Sequence, residues 1–346
     1  MSSRTMKAAM LHGPGDIRIE QVPMGEPGPD EVLVRIAYCG ICPSDFRVYD
    51  GRSPRATFPM IGGHEFSGWI EAKGSNVKRV EVGDPVAVNP AKPCYSACAP
   101  CGHGVNNKCT TYHSHGLRGF AEYCVVPDSH LYPLKPTTSL AAASFGEPLA
   151  CVLHGQHRAH VRMGTTTLIV GSGPIGLLHL LSAKAAGSKV IVSEPHATRL
   201  AAAVKFGADL GVNPAEQDLV EAVKKATEGW GADSVIVCVG NSKAAESAIM
   251  SAAPQAHVVL FAGTHPETPI SLSPNFVHYQ EINLTGSSDY IEPEYFESIQ
   301  AIEQKTVDVA SLIEHVLPLD QLKEGMEIVR TGTSLKVVME INKQRP

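Results

Sequence analysis

Up to about residue 150, apolar positions come in short runs broken by glycine and proline. Residues 31–36 (Glu-Val-Leu-Val-Arg-Ile), 68–72 and 84–88 read as strands, punctuated by Gly28-Pro29-Asp30 and Gly83-Asp84. That texture predicts a compact, mostly β unit with long loops. Near residue 160 the pattern changes. Residues 167–170 (Thr-Leu-Ile-Val) form a fully apolar strand, followed by glycines and an apolar helix through Ala186. Residues 189–192 give a second strand, followed by an alanine-rich helix to Phe206. Residues 233–238 and 257–261 continue the series, with 282–286 as its last strand. Short apolar strands alternating with amphipathic helices predict a parallel sheet covered on both faces. From about 295 the text is mixed again, with a helix near 294–305 and a closing strand at 335–340.

Composition narrows the class. The chain has 346 residues, enough for two domains, with 43% hydrophobic and 18% charged residues. A net charge of −6 leaves no basic excess to meet nucleic-acid phosphates. No apolar run is long enough for a membrane span, and Met1 to Met6 lack the apolar core of a secretory signal. The nine cysteines then read as reduced thiols of a cytoplasmic protein rather than disulfides. Cys124, Cys151 and Cys238 sit among apolar neighbours and need only be buried small hydrophobes.

The remaining six sit in motif contexts, Cys39 beside Cys42, and five of them (all but Cys39) belong to two sets of metal-ligand residues. One is dispersed: Cys42 in Gly-Ile-Cys-Pro-Ser-Asp, His64 and Glu65 in Gly-Gly-His-Glu, and Glu147 in Gly-Glu-Pro-Leu. A thiolate, an imidazole and carboxylates far apart in sequence look like an open catalytic zinc site. The other is compact: Cys94, Cys98, Cys101 and Cys109 within sixteen residues, a closed structural site, with His103 as the nearby substitute ligand. Directly downstream, Gly171-Ser172-Gly173-Pro174-Ile175-Gly176 follows a strand and opens a helix. The first glycine makes the turn, the second admits a pyrophosphate, and the third packs helix on strand. Glu194 ends the next strand, where a carboxylate can hold the adenosine ribose hydroxyls and would repel a 2′-phosphate, favouring NAD over NADP. Alternatively it is a solvated helix-start residue. Arg199 could stack on adenine or be exposed.

Together with Gly119-Phe120-Ala121-Glu122-Tyr123, these motifs recur in this order in zinc-containing medium-chain dehydrogenases of the alcohol dehydrogenase superfamily. Over essentially its whole length the chain resembles the sorbitol (polyol) dehydrogenase branch. The resemblance implies an α/β protein. A GroES-like, β-rich catalytic domain (1–155 and 296–346) is interrupted by a Rossmann-type, doubly wound NAD-binding domain (156–295). It implies two zinc ions per chain, NAD, a small-molecule alcohol or ketone substrate, and a homodimer or homotetramer. Cys42, His64 and Glu65 would bind the catalytic zinc. Glu147, at the position where other alcohol dehydrogenases carry a cysteine ligand, would touch the metal directly or through its water. Ser44 matches the hydroxyl that accepts the substrate proton. Asp45 matches a carboxylate that orients the ligand histidine, or else merely stabilises a turn. As a Lewis acid, zinc would lower the alcohol's pKa so that hydride can pass to nicotinamide.

Three departures stand out. The cysteine loop has one extra residue in its first gap. Arg47 replaces a relay histidine, and a guanidinium does not deprotonate, so it cannot act as a base. It could instead bind cofactor phosphate or a substrate anion, or simply be exposed. Asp289 stands near where polyol enzymes often place an arginine. The implied reaction is oxidation of a secondary alcohol of a polyol, sugar or cyclitol. A hydroxy-amino acid (threonine-type) or hydroxy-acid dehydrogenase is the alternative, and a non-catalytic binding protein is disfavoured by the intact ligand set. Loops around 45–58, 112–120 and 285–296 would set the substrate.

Overall fold

The computed structural model describes residues 4–346 except 54, 55, 96, 112–117 and 265. By internal contacts the chain forms two units, Met1–Pro148 with Tyr295–Pro346, and Leu149–Glu294.

In the first unit, β1 (Thr5–Gly13) and β2 (Asp16–Pro23) form an antiparallel hairpin, and β1 also pairs with β4 (Met60–Ile61). A larger sheet centres on β3 (Glu31–Gly40), flanked by β5 (Glu65–Lys73), β7 (Tyr123–Pro127) and β16 (Val337–Glu340), all antiparallel to it. The sheet continues through β6 (Pro85–Val88) and β8 (Leu131–Pro133) on one side, and through β15 (His315–Pro318), parallel to β16, on the other. Val32, Leu33, Val34, Ile36 and Ala37 are all buried, so β3 is covered on both faces. Ile36, Phe66, Ile70, Val86, Leu131 and Met339 belong to the core around it. Each such buried aliphatic or aromatic side chain contributes about 1.5–3 kcal/mol.

Register decides what this sheet presents. Gly40 pairs with Glu65 on one side and Val338 on the other. The segments just beyond these ends, carrying Cys42, His64 and Lys336, therefore arrive at one corner.

The second unit is one parallel sheet: β9 (Thr166–Val170), β10 (Lys189–Ser193), β11 (Leu210–Val212), β12 (Ala232–Val237), β13 (Ala252–Leu260) and β14 (Asn283–Gly286). Their order is β11-β10-β9-β12-β13-β14. The chain moves outward from β9 and then returns to its other side. Order reverses at β9, and ligands of such sheets bind at the carboxyl ends there. Leu168, Ile191, Val235 and Val258 are fully buried in the core, as the apolar runs predict.

Among the elements that differ from expectation are a strand and a helix. β13 begins at Ala252, five residues before the apolar run at 257; Ala252–Ala256 lacks the β-branched residues that mark strands, so the pattern there gives no signal. A helix at Gly146–Arg158 was not expected, and its first turn carries Glu147. Pro148 is tolerated there because first-turn amides have no intrahelical partner. Among the described residues no helix is long and apolar enough to cross a membrane.

Candidate active site and metal centres

At the corner made by β16, β3 and β5, donor atoms of Cys42, His64 and Glu65 lie within 4.8 Å of one another. Asp45 opens the short helix Asp45–Tyr49 and holds two of these residues. Its Oδ2 accepts the Cys42 amide at 3.0 Å, and its Oδ1 lies 3.3 Å from His64 Nδ1. The loop-stabilising and histidine-orienting roles thus fall to one side chain, leaving Nε2 for an ion. Ser44 Oγ stands against the donors, 3.2 Å from Cys42 Sγ and 3.5 Å from His64 Nε2.

Sequence reasoning missed Lys336. It is buried, and its ammonium donates to Glu65 Oε2 and to the Ile41 carbonyl. A Cβ at Gly40 would collide with the Glu65 carboxylate and come within 2.9 Å of Lys336 Cε, so glycine makes room for the pair. Burial alone would lower the Lys336 pKa, but Glu65, Cys42 and Glu147 raise it above its ordinary value, so the ammonium stays charged. Burial, with the Glu65 charge, pushes the Cys42 thiol up. Burial works against a charged His64, yet Asp45 and Cys42 overcome it and hold the imidazole well above its usual range. This corner is built for positive charge.

The donor set fits zinc. A thiolate, an imidazole and a carboxylate are zinc's preferred ligands. Glu65 Oε1 is buried with no hydrogen-bond partner, an otherwise costly state that a metal would relieve. Glu147 is half-buried and lies outside the three-donor group, although its charge acts on Lys336 and Tyr295.

The second cluster is complete. Cys94, Cys98, Cys101 and Cys109 bring their sulfurs within 4.8 Å of one another. Cys98 Sγ is 3.4 Å from Cys94 Sγ and 3.7 Å from Cys109 Sγ. Backbone amides at Cys101 and Thr110 pull the Cys98 thiol down to about 5. Burial and the neighbouring thiols push Cys101 up to about 12. Within the first gap, Tyr95 adopts φ 60°. His103 caps the helix Ala99–Gly102 and is not in the sulfur group. All nine cysteines are free; Cys124 is buried, whereas Cys151 and Cys238 are half-buried.

In the second unit, Gly171 turns at φ 97° and Gly173 caps the helix Pro174–Ala185. A Cβ on Gly173 would meet open space, the room a pyrophosphate needs at this helix N-terminus. Pro174 and Ile175 form the first turn, and Gly176 packs against the Gly171 carbonyl, where no Cβ fits. Glu194 is buried, with Oε2 accepting from Ser172 N (2.9 Å) and Ser172 Oγ (3.3 Å) and Oε1 accepting from His196 N (3.0 Å). It is therefore not the solvated residue that the sequence left open. Arg199 is half-buried, and its carbonyl accepts Ser172 Oγ at 3.1 Å. Arg47 is exposed, and Asp289 is held at φ 65° with Oδ1 accepting the Tyr290 amide at 3.0 Å. Of the three expected substrate loops, residues 54, 55 and 112–117 lie outside the described residues.

Comparison with known proteins agrees with this geometry. Residues 28–136 match the alcohol dehydrogenase GroES-like domain, and residues 174–304 match the zinc-binding dehydrogenase domain. D-arabitol-phosphate dehydrogenase of Enterococcus avium is 30% identical over 348 residues, covering 98% of this chain and 99% of that protein. Sorbitol dehydrogenase of Bacillus subtilis is 32% identical over 332 residues, covering 94% and 93%. A zinc-binding dehydrogenase from Sinorhizobium meliloti, solved bound to NADP, superposes with a TM-score of 0.90 at 29% identity, covering 97% and 99%. The chain belongs to the zinc-containing medium-chain dehydrogenases of the alcohol dehydrogenase superfamily. Its units are accordingly a GroES-like domain and a Rossmann-type domain.

Proposed function

We propose that the protein oxidises a secondary alcohol of a polyol, sugar or cyclitol with NAD, reversibly, using one catalytic and one structural zinc per chain. The observation that carries this reading is the Cys42–His64–Glu65 group, with an unpartnered Glu65 oxygen inside it and the Ser44 hydroxyl against it. Cys42, His64 and Glu65 would hold the ion, and Glu147 would touch it directly or through its water. Zinc there supplies the Lewis acidity that lowers an alcohol's pKa. Ser44 Oγ would accept the alcohol proton as its own hydroxyl proton passes to water, and Asp45 would keep His64 in its ligating orientation. Arg47 cannot serve as the next proton acceptor. The four cysteines of 94–109 would hold the second ion.

Gly171, Gly173, Pro174, Ile175 and Gly176 would cradle the cofactor pyrophosphate. A carboxylate offers about four lone-pair sites. Three donors reach Glu194. A site remains for a ribose hydroxyl, while the fixed charge opposes the 2′-phosphate of NADP. Arg199 would stack on the adenine. Assembly as a homodimer or homotetramer is part of this reading, supported by β14, an end strand with one open edge among the described residues. So is a cytoplasmic setting, supported by the free thiols.

Purified protein with a panel of polyols, polyol phosphates, cyclitols and hydroxy acids, followed by nicotinamide absorbance, tests the proposal. Turnover of a secondary alcohol, faster with NAD than with NADP, is expected. No turnover across the panel would sink the function, and faster turnover with NADP would sink the assignment of Glu194.

A further inference from the structure

Arg47 has no use in the mechanism above, yet it is mounted in a specific place. Its side chain is exposed and makes no hydrogen bond or ion pair among the described residues. Two neighbouring arginines are spent: Arg52 and Arg330 both bond to Asp50, at 2.8 and 2.9 Å. Phe46 and Tyr49 take one face of the short helix; Phe46 is buried in the core, and the Arg330 guanidinium lies 4.7 Å and 5.6 Å from their ring centres. Ser44, the capping residue, is already helical at φ −67°, ψ −24°. Ser44 and Arg47 therefore stand i, i+3 on another face, with Cβ atoms about 5–6 Å apart. The backbone there is pinned: Arg47 N donates to the Ser44 carbonyl at 3.0 Å, and its own carbonyl accepts Arg52 N at 2.8 Å. A permanent, unspent cation thus sits one helical turn from the hydroxyl that touches the metal donors.

We infer that Arg47 reads a phosphomonoester on the substrate, so that this enzyme's alcohol is a polyol phosphate rather than the free polyol. This rests on the dehydrogenase reading above, with the reacting carbinol held beside Ser44. A guanidinium grips phosphate oxygens in a bidentate fork and keeps its charge at every relevant pH. A neutral polyol would leave it facing water. Distance then argues against a short hydroxy acid. The carboxylate of a 2-hydroxy acid would fall next to the carbinol, too close to it to reach Arg47 one helical turn away. An anion at Arg47 must be separated from the carbinol by further carbons, as in a phosphorylated polyol. The doubly charged ester also gains more from the fork than a single carboxylate would.

The test uses zinc-loaded enzyme with arabitol and arabitol phosphate, galactitol and galactitol 1-phosphate, and a sugar acid of matched length. For wild type, kcat/KM should favour the esters at least about tenfold. In Arg47→Ala the ester-to-polyol ratio should fall about 10–100-fold, the span expected for loss of a charged hydrogen-bonded contact. Arg47→Lys should restore part of it. Inorganic phosphate should compete with the ester in wild type and lose that competition in Arg47→Ala, with the thermal midpoint retained as a folding control. An unchanged ratio overturns the inference, as does equal weakening of NADH binding with every substrate, which would assign Arg47 to the cofactor. Preference for the sugar acid over the esters overturns the phosphate assignment. Absence of turnover with any alcohol, while phosphate binding still depends on Arg47, would fault the dehydrogenase reading and leave the anion site standing.

Discussion

The cysteines at 94–109 and the group at Cys42, His64 and Glu65 offer comparable donors but are assembled by opposite means. The first is local: all four sulfurs come from sixteen consecutive residues. The second exists only because β16, β3 and β5 are in register, with Gly40 opposite both Glu65 and Val338. The closed thiolate set offers no substrate oxygen a position, whereas the dispersed set leaves a donor oxygen unpartnered and a hydroxyl alongside. A local loop suits an ion that stabilises; an assembled corner suits one that must be approached, charged and oriented by groups from several strands.

His64→Ala should separate the two most sharply. If His64 binds the catalytic ion, its loss should forfeit several kcal/mol of charge stabilisation, roughly 1,000-fold or more in kcat. NADH binding, measured by fluorescence titration, should survive, because the glycine turn belongs to the other unit. Zinc content should fall from two ions to one. A variant that keeps normal turnover would dismiss the corner as the catalytic centre.

Cys98→Ser should give the complementary pattern. Loss of the closed site should lower the thermal midpoint by about 5–10 °C, corresponding to a few kcal/mol in a unit of this size. The ion at the corner should remain, and folded molecules should keep most of their turnover. If zinc content does not change, the cluster is not a metal site.

Legibility in the sequence followed the same division. The cysteine loop, the glycine turn and the buried strands β9, β10 and β12 are local patterns, and apolar runs bounded by turns were enough to place them. The first unit was harder to read. β15 and the helix Gly146–Arg158 carry no strong period or turn signal, and the pairing of β3 with both β5 and β16 cannot be read from either partner. Lys336 was invisible for this reason. It lies 271 residues from Glu65 in sequence, next to an ordinary-looking closing strand, and only sheet register brings it to the corner. Its signal was weak: one lysine at the head of an apolar run, paired with a glycine in β3 whose missing side chain makes space.

Lys336→Met probes the corner's dependence on distant groups. Methionine preserves much of the buried volume and removes the charge that holds Glu65 Oε2. With zinc bound there, Cys42, Asp45, Glu65 and Glu147 would face the charge of the ion and this ammonium. Without Lys336, two opposing effects compete. The extra negative charge should draw the ion in, while a freed carboxylate loses its fixed orientation and can turn away from the donors. Orientation should prevail, because supporting hydrogen bonds to ligands are typically worth about 10–100-fold in metal affinity. Zinc retention at the corner, followed by timed exposure to a chelator, should therefore drop by about that factor. The four-cysteine ion in the same molecules should be released at the wild-type rate, serving as an internal standard. Asp45→Asn should act in the same direction through His64, since it weakens the support at Nδ1. If Lys336→Met instead tightens zinc, electrostatics rather than geometry governs the corner, and the contrast with the cysteine loop would be one of charge and not of assembly.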